Sequence, residues 1–319
     1  MMKLRFPLRP FDKLPHYDFM RWRVFWIQSS VASVAAALVL IFAVGLNFGI
    51  DFAGGKLVQV RIASAPSVSA VRTAIEKGGF GEATIQEYGA ADEFLIRLSA
   101  ADPQLQGAGA EQRIQAALTQ TFGAQAGAVE LRRVEFVGPQ VGQELRVKGA
   151  LAMLAAIVGI LIYVWFRFEL RYGLGAILAL VHDTILTVGV MVILQTEVTL
   201  TVLAAILTLI GYSLNDTIVI FDRIRENRLR MPNLPLTEVL NLSVNQTVAR
   251  TIMTVSTTLL VLLALFFLGG DVIHDFSLVL VVGIVLGTYS SVFVASPVLL
   301  ALEEWYQRMA KEKANEQQA

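Results

Sequence analysis

The chain has 319 residues, 55 % of them hydrophobic, and a mean hydropathy of +0.61, too apolar for an ordinary soluble domain of this size. Lysine plus arginine and aspartate plus glutamate each total 26, so net charge gives no pointer to nucleic acid. The absence of cysteine excludes disulfides and thiolate-bound metals, and His16, His182 and His274 are too few for a zinc cluster.

A helix needs about 20 mostly apolar residues to cross roughly 30 Å of hydrocarbon. Six segments qualify, near 25–47, 149–166, 173–194, 198–221, 251–269 and 276–302, after an N-terminal tail of residues 1–24. The first reads as a retained anchor rather than a signal peptide, because its apolar run continues from Val31 through "LVLIFAVGL". Where the chain leaves it, Gly45, Gly49, Gly54 and Gly55 bracket the "IDF" that contains Asp51. Glycine permits close backbone approach and positive φ, which suits a tight exit from the membrane.

Residues 48–148 are polar enough to form a soluble domain. "KLVQVRIA", "ATIQEYG", "EFLIRLS" and "AVELRRVEFVG" alternate as strands, while "SVSAVRTAIEKGG" and "AEQRIQAALTQTFG" read as helices. The order β-α-β-β-α-β is that of a ferredoxin-like α+β sandwich. No nucleophile with a base, phosphate loop or metal spacing occurs in it, so no enzyme is expected. The two acids of "GAADEFLI" read as a solvated turn.

Span three contains Asp183 in "LALVHDTILTVG", with Thr187 one turn on and His182 expected on a different face as a packed histidine. Asp183 serves either as a relay group or as hydrogen-bonding glue between helices. Span four places Thr208, Gly211, Tyr212, Asn215 and Asp216 on one helical face, Asp216 about six residues inside the expected cytoplasmic end. An aspartate in mid-helix costs about 2.5–3.5 kcal/mol on insertion scales, which argues for a function. A loop at 222–250 with one short helix follows, and Arg250, Thr254, Thr257 and Thr258 then form a polar stripe entering span five. If spans four and five are antiparallel neighbours, Arg250 reaches Asp216 directly or through water. The guanidinium and desolvation would pull the carboxyl in opposite directions, bringing protonation within reach. Gly283 and Gly287 make a GxxxG in span six, with Ser291 continuing a small-residue ridge suited to close helix packing.

Basic residues set the orientation. Six lie in the N-terminal tail (Lys3, Arg5, Arg9, Lys13, Arg21, Arg23), two at the second turn (Arg167, Arg171), five between spans four and five, and three in the C-terminal tail 303–319. The opposite loops "QTE" and "GGDVIHD" carry no lysine or arginine. Both termini are therefore expected in the cytoplasm and residues 48–148 outside.

Six stretches together resemble the SecF family, the smaller subunits of the bacterial SecD and SecF translocation accessory complex. They are "GIDFAGG", "VGPQVGQELRVKGALA", "RFELRYG", "VHDTI", "GYSLNDTIVIFDRIREN" and "SVNQTVARTIMTVSTTL", and the resemblance covers about residues 25–300. It implies an RND-superfamily half-unit in the bacterial inner membrane, with six spans and a large periplasmic domain after the first. It also implies SecD and the SecYEG channel as partners, with YajC and YidC as further ones, an unfolded polypeptide as cargo, and the proton motive force as energy source. Asp216 and Arg250 match residues implicated in proton movement in that family, and Asp183 sits in its VHD motif. No cofactor is implied beyond a transported ion, and the residues leave H⁺ and Na⁺ both open. Two other readings stay open on the residues alone: half of an RND-type small-molecule exporter, and a passive scaffold of the channel complex.

Overall fold

A computed structural model describes residues 17–81, 83–99, 109–123 and 128–316; the tail residues Lys3, Arg5, Arg9, Lys13 and His16 lie outside them. In chain order the elements are α1 (Arg23–Val44), α2 (Ile50–Ala53), β1 (Gly55–Ile62), α3 (Val68–Lys77), β2 (Thr84–Tyr88), β3 (Ala90–Ser99), α4 (Ala110–Phe122) and β4 (Val129–Val137). There follow α5 (Pro139–Arg167), α6 (Leu170–Leu194), α7 (Leu200–Arg230), α8 (Leu236–Leu268) and α9 (Asp271–Ser290). A π-helical turn, Ser291–Ala295, carries α9 into α10 (Ser296–Glu316). Six helical stretches are long and apolar enough to span a bilayer: α1, α5, α6, α7, α8 and Ile273–Ala310 within α9 and α10. The chain is a multi-pass membrane protein. It forms two compact units, one of Leu46–Leu154 with Glu197–Leu203, the other holding the rest of the described chain.

In the smaller unit the strands run β2-β3-β1-β4, every neighbour antiparallel, which is the ferredoxin-like arrangement. The strand period of two sends Val58, Val60 and Ile62 of β1 and Phe94, Ile96 and Leu98 of β3 to one face, all fully buried. They pack against Val71 and Ile75 of α3 and Ile114 and Leu118 of α4. Ser67 caps α3 by accepting a hydrogen bond from the Ala70 amide at 3.4 Å. The stretch expected as a solvated turn is instead the start of β3. Asp92 accepts from Arg61 Nε at 2.6 Å and Glu93 from Gln59 Nε2 at 2.8 Å, so both acids find cross-strand donors and the tight turn falls on Gly89. The Arg61 hydrogen bond holds the Asp92 carboxyl below its ordinary range.

In the larger unit α7 and α9 mesh through two ridges of i, i+4, i+8 spacing. A Cβ added to Gly283 would fall inside the Leu209 side chain, and one added to Gly287 would lie 3.1 Å from Ser213 Oγ. Ser291 Oγ lies 3.0 Å from Thr217 Oγ1. The partners rise together along both helices, so α7 and α9 are parallel and in close contact. The α7–α8 pair is antiparallel, with Asn227 Nδ2 donating to Ser243 Oγ and Gln246 Oε1, both at 2.9 Å.

Hydropathy marks where lipid contact ends, whereas these helices continue beyond it. The segment expected as a loop at 222–250 is nearly all helix, because α7 runs on to Arg230 and α8 starts at Leu236 behind Pro232 and Pro235. Span two, expected from 149, begins at Pro139, a residue whose missing amide hydrogen suits a first helical turn. Residues 303–316 of the expected C-terminal tail are part of α10, and Glu303 is only 3 % exposed, in ion pairs with Arg171 of α6 and Arg228 of α7. The last tail residues before α1 are held by α8: Asn241 Oδ1 accepts from the Met20 amide and Asn245 Oδ1 from the Tyr17 amide, both at 3.0 Å.

Gly283→Val tests the ridge contact. Overpacking of this kind destabilises by about 1–3 kcal/mol, so the purified protein in nanodiscs is expected to unfold at lower temperature, and Leu209→Ala in the same chain is expected to recover part of the loss.

Candidate functional site

Two carboxylates lie deep in the helical unit, and their surroundings differ. Asp183 of α6 is fully buried and accepts three hydrogen bonds. Ser213 Oγ of α7 donates to Oδ2 at 2.5 Å, Ser290 Oγ of α9 donates to the same oxygen at 2.7 Å, and His182 Nδ1 lies 2.9 Å from Oδ1. Three helices thus converge on one side chain. His182, expected on another face, is turned onto its neighbour's carboxylate and is 5 % exposed. Adjacent residues on a helix share a contact when a short side chain lets the ring fold back.

Asp216 of α7 is 8 % exposed and has one described donor, Thr251 Oγ1 of α8, at 3.0 Å to Oδ1; Oδ2 is buried without a partner. One turn away Tyr212 donates from its hydroxyl to Thr258 Oγ1 at 3.2 Å. Arg250 is exposed and close enough to act electrostatically on Asp216, but among the described residues no ion pair joins the two. Thr254, Thr257 and Thr258 return their hydroxyls to the carbonyls of Arg250, Met253 and Thr254 at 3.1, 3.0 and 2.9 Å. The polar face read from the sequence therefore divides. Tyr212 and Asp216 turn to α8, while Thr208, Gly211 and Asn215 are exposed. Thr251, Ser213 and Ser290, which hold the carboxylates, were not singled out in the sequence. Thr251 follows Arg250 directly and precedes Thr254 by three positions, a helical spacing that could have revealed it.

The third arrangement is in the smaller unit, at the segment that leads into β1. Phe48 pairs with Val198 as an isolated parallel bridge, Gly49 N donates to Val198 O at 2.9 Å, and Val198 N to Asn47 O at 2.7 Å. A Cβ on Gly49 would stand 2.9 Å from Thr199 Cγ2, which explains the glycine. Asp51 Oδ2 accepts from the Leu200 amide at 2.9 Å, at the start of α7. Gly54 and Gly55 take φ of +72° and +128°, a reversal that favours glycine. Arg97, at the end of β3, donates from Nη1 to Phe48 O at 3.1 Å and Asn47 Oδ1 at 3.2 Å and forms an ion pair with Glu197. Burial pushes the Arg97 guanidinium below its ordinary value.

Residues 116–305 match the family described as protein export membrane protein SecD/SecF, C-terminal, and residues 39–65 match the SecD/SecF GG motif. The protein translocase subunit SecF of Magnetococcus marinus is 51 % identical over 314 residues, spanning 97 % of this chain and 99 % of the relative. That of Pseudomonas aeruginosa is 46 % identical over 291 residues, 91 % and 92 % of the two chains. Among solved structures, SecDF of Thermus thermophilus, a translocon-associated membrane protein, superposes with a TM-score of 0.81 at 37 % identity. The match covers 93 % of this chain and 40 % of that longer one. SecDF in a super-membrane-facing form gives 0.69 at 37 % identity, over 95 % and 40 %.

Fold and matches together define a class, the RND-like membrane subunits of the protein export machinery. Within it, the chain belongs to the SecF family of protein translocase subunits.

The Asp183 junction yields a stability prediction. Hydrogen bonds to a charged group contribute about 1.5–3 kcal/mol in water-soluble proteins and less between membrane helices. Ser213→Ala and Ser290→Ala are each expected to lower the unfolding temperature in nanodiscs, and the double variant more than either.

Proposed function

We propose that this SecF-family subunit, paired with SecD, draws on the proton motive force to promote outward movement of unfolded polypeptides through SecYEG, with Asp216 as the ion-carrying group. The carrying observation is the asymmetry of that carboxylate. One oxygen is held by Thr251 and the other is buried and open. An open lone pair takes a proton at Oδ2, whereas a hard cation gathers a shell of several oxygens, which favours H⁺ over Na⁺. Taking and releasing the proton switches the charge between α7 and α8, and with it the attraction of Arg250, so helix packing follows occupancy. Each elementary charge moved through 100 mV supplies about 2.3 kcal/mol, enough for a few ions to drive repeated capture and release of a chain. Asp183 is assigned the fixed role: the hydroxyls of Ser213 and Ser290 tie α7 and α9 to α6 through its carboxylate.

The exposed Thr208, Gly211 and Asn215 support a helical partner at membrane depth, since an amide facing lipid is costly; SecD fills that place in the proposal. The basic residues support cytoplasmic termini in the bacterial inner membrane with the sheet domain in the periplasm. YajC and YidC are assigned as further partners from the family resemblance alone.

Asp216→Asn removes the exchangeable charge with little change in shape. Export driven by ATP alone is expected to persist in vesicles, and the part stimulated by membrane potential to disappear, while the protein still accumulates and copurifies with SecD; unaltered stimulation would favour the scaffold reading. Export unaffected by protonophore but dependent on sodium would replace H⁺ with Na⁺. Because the chain has no cysteine, the orientation has a clean test: Ala91→Cys is expected to react with an impermeant maleimide from outside intact spheroplasts, and Asn233→Cys only after lysis.

A further inference from the structure

The compact unit that contains the sheet domain also contains Glu197–Leu203, the end of the α6–α7 connection and the first turn of α7. The rest of α7 continues without interruption to Arg230 and carries Asp216 sixteen positions after Leu200, about 24 Å along the helix axis at about 1.5 Å per residue. Whatever moves α7 lengthwise therefore moves the residues at its start.

Those residues are gripped from both central strands of the sheet. On the β1 side, the lead-in segment supplies the Phe48–Val198 bridge and the Asp51 carboxylate on the Leu200 amide. On the β3 side, Arg97 reaches Glu197 while donating to Phe48 O and Asn47 Oδ1, so one guanidinium joins the strand end, the lead-in segment and the α6–α7 connection. Its side chain is 14 % exposed and that of Glu197 15 %, and such shielded charges interact more strongly and are screened less by salt than surface pairs. The sheet core needs neither residue. Val58, Val60, Phe94 and Ile96 pack against α3 and α4 on the opposite face.

We infer that the Arg97–Glu197 ion pair, backed by the Asp51 contact, is the mechanical joint through which α7 passes its displacement to the exported sheet domain. The inference rests on the ion-driven reading of Asp216 and adds the residues that turn ion movement into domain movement. Arg97 and Glu197 are positioning residues: neither carries the ion nor meets the polypeptide.

The test uses the complete complex with SecD and SecYEG in proteoliposomes and reads two quantities in parallel, proton flux with an enclosed pH dye and potential-stimulated export of a preprotein. Arg97→Gln and Glu197→Gln are expected to keep proton flux within about twofold of the parent while stimulated export falls about tenfold, a loss typical of a broken coupling between sites. Flux and export falling together would overturn the joint in favour of a purely structural contact, as would export unchanged in both single variants. Failure of the ion-driven reading has a separate signature, proton flux and stimulated export both intact in Asp216→Asn.

Discussion

A carboxylate at membrane depth must find its hydrogen-bond donors within protein, and the helical unit is organised around two unequal solutions to that demand. At Asp183 the demand is met by three donors from three helices, with one oxygen shared by Ser213 and Ser290. The π-helical turn begins at the next residue, Ser291, which meets Thr217. Such turns shift the phase of a helix and recur at functional sites. Here it follows directly on Ser290, whose hydroxyl donates to Asp183 of α6.

Asp216 stands three positions after Ser213 on α7, offset by about 60° around the helix, and meets α8 rather than α9. One helix therefore has a face of Leu209, Ser213 and Thr217 committed to α9, and a face of Tyr212 and Asp216 bound to α8 by single hydroxyl contacts. Close packing has discrete arrangements rather than continuous give, so a change in one charge can select between them. On the proposed reading, the boundary between α7 and α8 is where such a choice lies, because the boundary between α7 and α9 is closed by glycine contacts and a satisfied carboxylate.

The sequence made Asp216 and Asp183 conspicuous because charge in an apolar run has few bland explanations. It made the sheet domain readable because strand alternation and a serine cap are local signals. Their partners were harder to read. Thr251 lies among several threonines at helical spacing, and which of them faces Asp216 depends on the rotation of α8 about its axis, fixed by contacts such as Asn227 with Ser243. Ser213 and Ser290 reach Asp183 from other helices, across 30 and 107 residues of sequence. Arg97 lies in a strand a hundred residues before Glu197, and nothing near it in sequence reveals that Glu197 lies beside it. The expected loop at 222–250 failed for another reason: hydropathy measures lipid contact, and polar helices held by Asn227 and by Glu303 with its arginines extend past that limit.

On the proposed ion-driven reading, these features supply the parts of a coupling device. Ion-driven work needs an element that changes contact with occupancy and another stiff enough to transmit the change. The single hydroxyl bond at Asp216 provides the first, since its acceptor alters when a proton binds. The second is α7 itself, braced along one side by α9 and, through Asp183, by α6. A braced helix does not bend to absorb a push near its middle, so the displacement appears at its end. At that end the backbone pairing of Phe48 with Val198, the Asp51 acceptor and the Arg97 guanidinium meet. On the inferred joint, the polar contacts at the first turn of α7 are what would carry a rearrangement at Asp216 to the sheet rather than letting it dissipate along the helix.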